Sequence, residues 1–237
     1  MNILIIGATS GIGKALFESY AKDGHRVGIV GRRTQLLEEL HQQYPANAVV
    51  ATADITRHDA TKQAIRLLHQ ELGSMDLAIV CSGTGDLNPT LDYELERPTL
   101  NTNVMGWTFV VDTLYRLFEQ QGSGHLVAIT SIGGLRGEMG APAYSATKAY
   151  QINYLEALRK KAFKAGGSII VSDVRPGLVD TAMAKGDGLF WVMPVEKVVC
   201  QIRNAIRRRK SKVYVTRRWH VLAIINKNLP FALYRRM

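Results

Sequence analysis

The chain has 237 residues, of which 46% are hydrophobic and 21 are glycines, and these values are typical of one α/β domain with a sizeable core. Two isolated cysteines, Cys81 and Cys200, exclude a disulfide framework and indicate a reducing compartment. The opening residues Asn2-Ile-Leu-Ile-Ile-Gly lack the features of a signal peptide, and no apolar run approaches the roughly 18 residues of a spanning helix. We therefore expect a cytoplasmic protein.

The net charge of +10 is concentrated at the carboxyl end of the chain. Residues 1–196 contain all 20 acidic residues and 18 of the 30 Lys/Arg, which gives −2. Residues 197–237 contain the other 12 Lys/Arg and no acid, which gives +12. The body of the protein is thus nearly neutral, and the basic character belongs to the tail.

The amino-terminal stretch has the pattern of a strand, a glycine-rich turn and a helix. Residues 3–6 are a short apolar run typical of a buried parallel strand, and residues 14–22 show an amphipathic helical pattern. Between them lies Gly7-Ala-Thr-Ser-Gly11-Ile-Gly13, where glycines let a diphosphate approach the backbone and helix N–H groups face the anion. The sequence predicts a phosphate cradle; the alternative is a tight turn that binds nothing.

The second predicted strand, residues 26–31, is followed directly by Arg32-Arg33. In a dinucleotide-binding fold the end of this strand faces the adenosine ribose, where arginine accommodates a 2′-phosphate and an acid would bind a free 2′-hydroxyl. No acid stands between His25 and Gln35. The pattern therefore favours NADP(H) over NAD(H), and the alternative is a solvated charge pair that opens the next helix.

The rest of the chain continues the alternation of strands and helices. Further strands are predicted over residues 48–53, 77–80, 125–130, 168–174 and 212–216, helices over 59–72, 99–120, 144–163 and 194–208, and a loop over 86–98. This alternation predicts one doubly wound parallel sheet, whose ligands bind at the carboxyl ends of the strands. The following residues all come after strand ends and should share that edge: Gly7, Arg32, Asp54, Gly83, Ser131 and Pro176. The apolar stretch 178–193 suggests a mobile lid.

Tyr144 and Lys148 lie four residues apart in a predicted helix and so share one helix face. A cation beside the phenol favours the phenolate, so we predict that the pKa of Tyr144 falls from its reference of about 10. A tyrosine tuned in this way exchanges a proton with a substrate oxygen near neutral pH. Taken alone, the pair is equally typical of an ordinary helix surface, and Ser131 alone is typical of a strand-end cap.

Over about residues 1–216 the chain resembles the short-chain dehydrogenase/reductase family. The resemblance rests on features in the family's order and spacing: the glycine motif, Asp54-Ile55, Asn103, Ser131, Tyr144, Lys148 and Pro176-Gly177 with Thr181. It implies a Rossmann-type fold and NAD(P)-dependent ketone–alcohol chemistry. The sequence departs from the family at Val80-Cys81-Ser82-Gly83, where the glycine of Asn-Asn-Ala-Gly is retained and the asparagine that braces the sheet is not.

The resemblance also implies residue roles. Tyr144 is the acid/base, Ser131 orients the carbonyl, Lys148 holds the nicotinamide ribose and lowers the pKa of the tyrosine, and Asn103 positions a proton-relay water. The implied cofactor-binding residues are Gly7, Thr9, Ser10, Gly11, Ile12, Gly13, Arg32, Arg33, Asp54, Ile55, Ser82, Gly83, Asn103, Tyr144, Lys148, Pro176, Gly177, Val179 and Thr181. We expect no metal site. Homo-oligomers are usual in the family, so the resemblance also implies a homo-oligomer.

Residues 217–237 form a basic, apolar extension after the domain. Trp219, Phe231 and Tyr234 stand among aliphatic and basic residues, a composition that matches an interfacial membrane helix. We predict peripheral binding to an anionic membrane surface, at the inner face. The alternative is that the apolar residues pack on the domain or on a partner subunit. Nucleic acid is disfavoured as a partner because no nucleic-acid-binding module accompanies the charge.

The sequence favours an NADPH-dependent oxidoreductase that reduces a ketone to an alcohol, or the reverse, with a lipid-like substrate. The alternative is a catalytically silent NADPH-binding sensor or scaffold, or a structural membrane-surface protein built on a retired enzyme fold. The set Asn103, Ser131, Tyr144 and Lys148 weighs against silence, because a sensor does not need it. The apolar lid is equally compatible with acyl, prenyl, steroid or aromatic ketones.

Overall fold

The computed structural model describes residues 1–184 and 190–236, and within them seven strands form one parallel sheet in the order β3-β2-β1-β4-β5-β6-β7. The strands are β1 Asn2–Ile6, β2 Arg26–Gly31, β3 Ala48–Thr52, β4 Leu77–Val80, β5 Gly124–Ile129, β6 Ile169–Pro176 and β7 Lys212–Val215. The helices are α1 Gly11–Lys22, α2 Thr34–Gln43, α3 His58–Leu72, α4 Tyr93–Leu100, α5 Trp107–Gln121, α6 Pro142–Lys164, α7 Val195–Arg207, α8 Arg217–Asn228 and α9 Phe231–Tyr234.

Both faces of the sheet are covered by helices, as the near-continuous apolar strands require. In β1, Ile3 and Ile5 join the core beneath α1, α2 and α7, whereas Leu4 and Ile6 join the core beneath α3, α5 and α6. Successive side chains of a strand point to opposite faces, so one short run serves both cores. The predicted doubly wound, Rossmann-type architecture in a single domain is confirmed.

The strand order reverses between β1 and β4, and this is where such sheets open a ligand crevice. The chain leaving β1 and the chain leaving β4 come very close together there. A Cβ added to Gly7 would lie 2.6 Å from the backbone nitrogen of Ser82. Only a residue without a side chain fits this position.

The prediction of a loop over residues 86–98 is wrong for its second half, because α4 begins at Tyr93. The carboxylate of Asp92 accepts a hydrogen bond from the Glu94 backbone at 2.9 Å and caps the helix. This cap outweighs Pro89 and Pro98, the two prolines in the stretch that favour a loop. The single helix predicted over 99–120 is also interrupted, since a π-helical segment, Asn101–Gly106, connects α4 to α5. Asn103 therefore sits in a widened turn.

The carboxyl-terminal extension packs on the domain with one face and leaves the other exposed. Trp219 is buried against Gly177, where a Cβ would lie 2.2 Å from the indole ring. Val221, Ile224 and Ile225 are at least half exposed on the opposite side of α8. Within residues 1–184 and 190–236, no helix combines the length and the apolar character that a membrane crossing needs.

A buried polar network ties the ends of β5, β6 and β7 together. Asp173 and Arg175 form an ion pair with 2.6 Å between Oδ2 and Nη2, and both side chains are almost inaccessible. The Thr130 hydroxyl donates to Asp173 at 2.6 Å, and Arg175 donates to the Tyr214 hydroxyl at 2.9 Å. Because Thr130 directly precedes Ser131, this network fixes the strand end from which the site is built.

Asp173→Asn should lower the free energy of unfolding by about 3–5 kcal/mol, because it leaves the Arg175 guanidinium buried without a counter-charge. The matched control is Glu119→Gln, which breaks the exposed pair with Lys161 (2.6 Å) and should cost less than about 1 kcal/mol. Urea unfolding followed by circular dichroism measures both values. Equal, small losses in the two variants would contradict the importance of the network.

Candidate active site

The glycine-rich turn after β1 forms a concave cradle at the amino end of α1. Gly7 has a φ of +87°, and a Cβ at Gly13 would lie 2.0 Å from the Gly7 carbonyl oxygen, so neither position accepts a side chain. The Ser10 side chain does not cap the helix that begins at Gly11. The first N–H groups of α1 are therefore available to an anion, and the geometry fits a diphosphate.

A buried hydroxyl lies next to the same turn. Ser82 follows β4 next to Gly7, and its oxygen is buried without a hydrogen-bond partner among the residues that the structure describes. Buried polar atoms are normally hydrogen-bonded, so an orphaned one at a ligand crevice fits a group supplied by a bound molecule. Thr181 lies across the turn, with its methyl 3.3 Å from where a Cβ of Gly11 would be.

Positive charge lines the rim of the cradle. The Arg33 guanidinium donates to the Thr9 hydroxyl from Nη2 at 2.7 Å and from Nε at 3.1 Å, and to the Ser10 hydroxyl at 2.7 Å. Arg32 is mostly exposed and lies 3.8 Å from a carboxylate oxygen of Asp54. Two guanidinium groups thus flank the end of β2, one fixed on the turn and the other paired loosely with an acid.

Hydrogen bonds hold Asp54 in its charged form. Burial alone would raise the pKa of its carboxyl group, but the backbone and hydroxyl of Thr56 donate to it at 3.0 and 2.8 Å. Together with the charge of Arg32, these bonds lower the pKa of Asp54 below its ordinary value. Ile55 is buried beside it, and its carbonyl would lie 2.8 Å from a Cβ at Gly106.

Ser131 and Tyr144 bring two hydroxyl groups together beyond the end of β5. The Ser131 hydroxyl is hydrogen-bonded to the phenol of Tyr144, and its oxygen also accepts from the Gly133 backbone at 3.0 Å. The backbone of Gly85 lies flat against the tyrosine ring, since a Cβ there would be 2.3 Å from Cδ2. Neighbouring backbone therefore fixes the Ser131 hydroxyl and the Tyr144 ring in place.

The predicted fall in the pKa of Tyr144 is wrong for this structure. Burial raises the pKa of the phenol, and the hydrogen bond with Ser131 only partly opposes this effect. The Lys148 ammonium lies 5.7 Å from the ring centroid and hydrogen-bonds other oxygens, so it does not offset the desolvation. Tyr144 is therefore protonated at neutral pH, the state that a proton donor needs.

Lys148 is buried beneath the crevice. Its Nζ donates to the Ile129 carbonyl at 3.2 Å and to Oε1 of Gln151 at 3.1 Å. Burial lowers the pKa of Lys148 to about 8, and the charge of Asp173 opposes this shift. A Cβ at Gly83 would lie 3.4 Å from Nζ, so no side chain separates the ammonium from the crevice at that point.

Asn103 is completely buried and braces the segment that follows β4. Its Oδ1 accepts from the Thr84 backbone at 2.9 Å, and its Nδ2 donates to the Thr84 carbonyl at 2.7 Å and to the Thr147 hydroxyl at 3.1 Å. Its own carbonyl accepts from Nε2 of Gln151 at 2.9 Å. The relay water that the resemblance assigns to Asn103 stays a prediction. In the structure the side-chain amide of Gln151 lies between Lys148 and the Asn103 carbonyl and hydrogen-bonds both.

Of the remaining predicted residues, those after β6 lie against the carboxyl-terminal extension. Pro176 ends β6, Gly177 touches Trp219, and Val179 pairs with Met193 in an isolated parallel bridge. Part of the predicted lid, residues 185–189, lies outside the described residues. At its far end the rings of Phe190 and Trp191 lie 5.3 and 6.2 Å from the Trp219 ring.

Sequence reasoning overlooked three residues that hold this arrangement together: Thr84, Thr147 and Gln151. Thr84 directly follows Gly83 in the segment after β4. The other two lie on α6 at three residues from Tyr144 and Lys148, respectively, so the spacing of helix neighbours could have identified them.

Comparisons with known proteins agree on one family. A family model described as short chain dehydrogenase matches residues 1–188. An uncharacterized oxidoreductase of Mycobacterium tuberculosis is 34% identical over 222 residues, which cover 90% of this chain and 87% of that protein. An uncharacterized oxidoreductase of Myxococcus xanthus is 34% identical over 185 residues, which cover 76% of this chain and 72% of that protein.

Solved structures with the same fold carry either nicotinamide cofactor. A short-chain dehydrogenase from Sphingobium yanoikuyae, solved with NADPH, is 26% identical with a TM-score of 0.78, covering 96% of this chain and 94% of that one. A protein from Burkholderia phymatum, solved with NAD, has a TM-score of 0.84 at 17% identity, covering 95% and 92% of the two chains. The second likeness shows the fold alone.

Proposed function

The chain belongs to the short-chain dehydrogenase/reductase family, whose members are oxidoreductases that act on CH–OH groups, and from this premise we propose that it is an NADPH-dependent reductase of a ketone. The observation that carries the proposal is the convergence of Ser131, Tyr144 and Lys148 beside a phosphate cradle. A bound nicotinamide cofactor supplies or accepts the hydride. The residues of the chain bind the cofactor, orient the carbonyl and exchange the proton with its oxygen.

The rim of the cradle supports the choice of NADP(H). Arg33 is already fixed by the Thr9 and Ser10 hydroxyl groups, so a bound 2′-phosphate meets an ordered guanidinium with little further loss of side-chain freedom. Arg32 is free to exchange its loose pairing with Asp54 for a phosphate oxygen. The S. yanoikuyae relative at 26% identity was solved with NADPH. The fold itself does not discriminate, since structural neighbours with NADP and with NAD are both known.

The protonation states support reduction of a carbonyl. Tyr144, held neutral by burial, donates its proton to the oxygen on which charge develops, and Ser131 donates a second hydrogen bond to the same oxygen. Among the described residues the Lys148 ammonium has two hydrogen-bond partners, and its third N–H is the one that would hold the cofactor ribose, on the side of Gly83. Asn103 hydrogen-bonds Thr84 and so holds the segment after β4 in place against the Tyr144 ring.

Catalytic silence is the second candidate function. A sensor or scaffold needs the cradle, the arginines and the lysine that holds the ribose, but it gains nothing from a phenol paired with a serine hydroxyl, as Tyr144 is with Ser131. Burying the Lys148 ammonium with neutral hydrogen-bond partners costs free energy of folding. A protein retains such a cation where it serves binding or chemistry. The enzyme proposal therefore accounts for more of the structure.

We also propose a lipid-like substrate and a peripheral position at the inner face of a membrane. The support is the apolar cluster of Phe190, Trp191 and Trp219 at the end of the crevice, together with the exposed apolar face of α8. Arg218 and Lys227 are exposed on the same helix. A homo-oligomer remains part of the proposal.

NADPH should bind at least about tenfold more tightly than NADH, equivalent to roughly 1.4 kcal/mol, because both arginines pair with the 2′-phosphate. Arg33→Ala should remove most of this preference by weakening NADPH binding alone. Arg26→Ala is the matched control, since Arg26 lies at the opposite end of β2 and should leave the ratio unchanged. Fluorescence titration with both cofactors measures the ratio, and equal affinities in the wild type would refute the preference.

Tyr144→Phe should abolish turnover while leaving NADPH affinity nearly intact, because the variant loses the proton donor and keeps the ring. Tyr150→Phe, six residues further along α6 and hydrogen-bonded to Thr108, is the matched control and should remain active. Lys148→Ala should damage both turnover and binding. Consumption of NADPH with a panel of ketones, long-chain ones included, gives the rates. More than a few per cent of wild-type kcat in Tyr144→Phe would show that the acid is misassigned.

The full-length protein should sediment with anionic vesicles at low salt and much less with neutral ones, since each exposed Lys/Arg near the surface adds about 1 kcal/mol. Truncation after Thr216 removes this binding but also uncovers Gly177. The sharper variant is Val221→Glu/Ile225→Glu, which alters only the exposed face and should lose vesicle binding at unchanged thermal stability.

The tail hypothesis fails if full-length protein and the double variant remain equally in the supernatant with anionic vesicles at low salt. If truncation instead breaks up an oligomer or unfolds the domain, while the double variant behaves like the wild type, the extension serves packing.

A further inference from the structure

Gln151 is completely buried beneath the proposed site, and the proposed function gives it no part in binding or catalysis. It follows Lys148 by three residues on α6, so the two side chains share a helix face. Its Oε1 accepts a hydrogen bond from Lys148 Nζ at 3.1 Å, and its Nε2 donates to the backbone carbonyl of Asn103 at 2.9 Å. One amide therefore connects the lysine to the π-helical segment.

The π-helical segment makes this connection possible. In an α-helix the backbone N–H of Trp107 would donate to the carbonyl of Asn103, four residues earlier. Here it donates to the carbonyls of Thr102 and Val104, five and three residues earlier, and the Asn103 carbonyl accepts from the side chain of Gln151. A primary amide suits the position, because it offers an acceptor to an ammonium and a donor to a carbonyl without carrying charge.

We propose that Gln151 is a positioning residue that aims the ammonium group of Lys148 at the cofactor without adding charge to it. This inference rests on the proposed function, in which Lys148 holds the ribose. An ammonium has three N–H donors, and the Ile129 carbonyl and Gln151 fix the directions of two. The third is then fixed by tetrahedral geometry, and the side of Gly83 is open to it.

The neutrality of Gln151 sets the electrostatics of Lys148. The ionisable groups that face the ammonium are Asp173 on β6, Cys81 after β4 and Tyr144 on α6, and its direct hydrogen-bond partners are both neutral. A glutamate at position 151 would add a carboxylate at contact and favour the charged lysine. A leucine would remove an acceptor from the ammonium and disfavour it.

The contact is tested by titrating Lys148 in cofactor-free protein labelled with ¹³Cε-lysine, with the resonance assigned from its loss in Lys148→Met. Relative to the wild type, Gln151→Glu should raise the midpoint by about one pH unit or more, and Gln151→Leu should lower it. Tyr154 lies on the same helix as Gln151 and donates a hydrogen bond to Asp112 of α5. Tyr154→Phe removes that bond, is the matched control and should leave the midpoint in place. Midpoints that do not move, even with reduced thermal stability, would mean that Gln151 only packs and would overturn the proposal.

The positioning role is tested by NADPH affinity at pH 7. Gln151→Leu should weaken binding by about tenfold, and Tyr154→Phe should not. A Gln151→Leu variant with a shifted midpoint but wild-type NADPH affinity would overturn the positioning role while leaving the proposed function intact. Wild-type protein that fails to bind NADPH would overturn the proposed function and, with it, the positioning role. The titration is done without cofactor, so it would still show whether the Gln151–Lys148 contact exists.

Discussion

A buried lysine held by neutral oxygens is the constraint on which the rest of this site depends. Lys148 lies in the interior against a carbonyl of β5 and the amide of Gln151, and burial lowers its pKa to about 8. A cation in this setting is tolerated only if its hydrogen bonds are satisfied and its surroundings are rigid. The π-helical segment, Gln151 and the end of β5 supply those conditions together. The same desolvation raises the pKa of Tyr144, so one physical cause shifts both residues toward their neutral forms.

The strand ends around the lysine are fixed by a second set of buried polar contacts. The Asp173–Arg175 pair lies in the strand next to β5, and Thr130 joins it to the residue before Ser131. Asp173 also opposes the loss of charge on Lys148, so the network acts on the site electrostatically as well as mechanically. On the far side, Trp219 of the extension covers Gly177 at the end of β6. The extension therefore contributes to the wall of the crevice, whatever its exposed face contacts.

Much of the fold could be predicted because its signals are local. Apolar runs bounded by glycine gave the strands to within a residue or two, and the alternation with helices implied the parallel sheet. The errors arose where a local signal was overruled. Asp92 capped a helix inside a stretch with two prolines, and the helical pattern over 99–120 concealed a π-helical segment at Asn103. Sequence reasoning detects helices and strands by the period of their hydrophobic residues. A helix cap that competes with proline does not change that period, and a shift from four- to five-residue hydrogen bonding does not change it either.

The sequence by itself determined the sheet, the glycine cradle, the arginines at the end of β2 and the order of Ser131, Tyr144 and Lys148, because each depends on residue type and spacing along the chain. Only the tertiary structure decided the electrostatics. Whether Lys148 lowers the pKa of Tyr144 depends on how much water surrounds the phenol and on which oxygens the ammonium contacts, and neither quantity is encoded in a four-residue spacing. The same holds for the contact of Gln151 with the Asn103 carbonyl and for the packing of Trp219 on Gly177. These partners are 48 and 42 residues apart along the chain, and only folding brings them into contact.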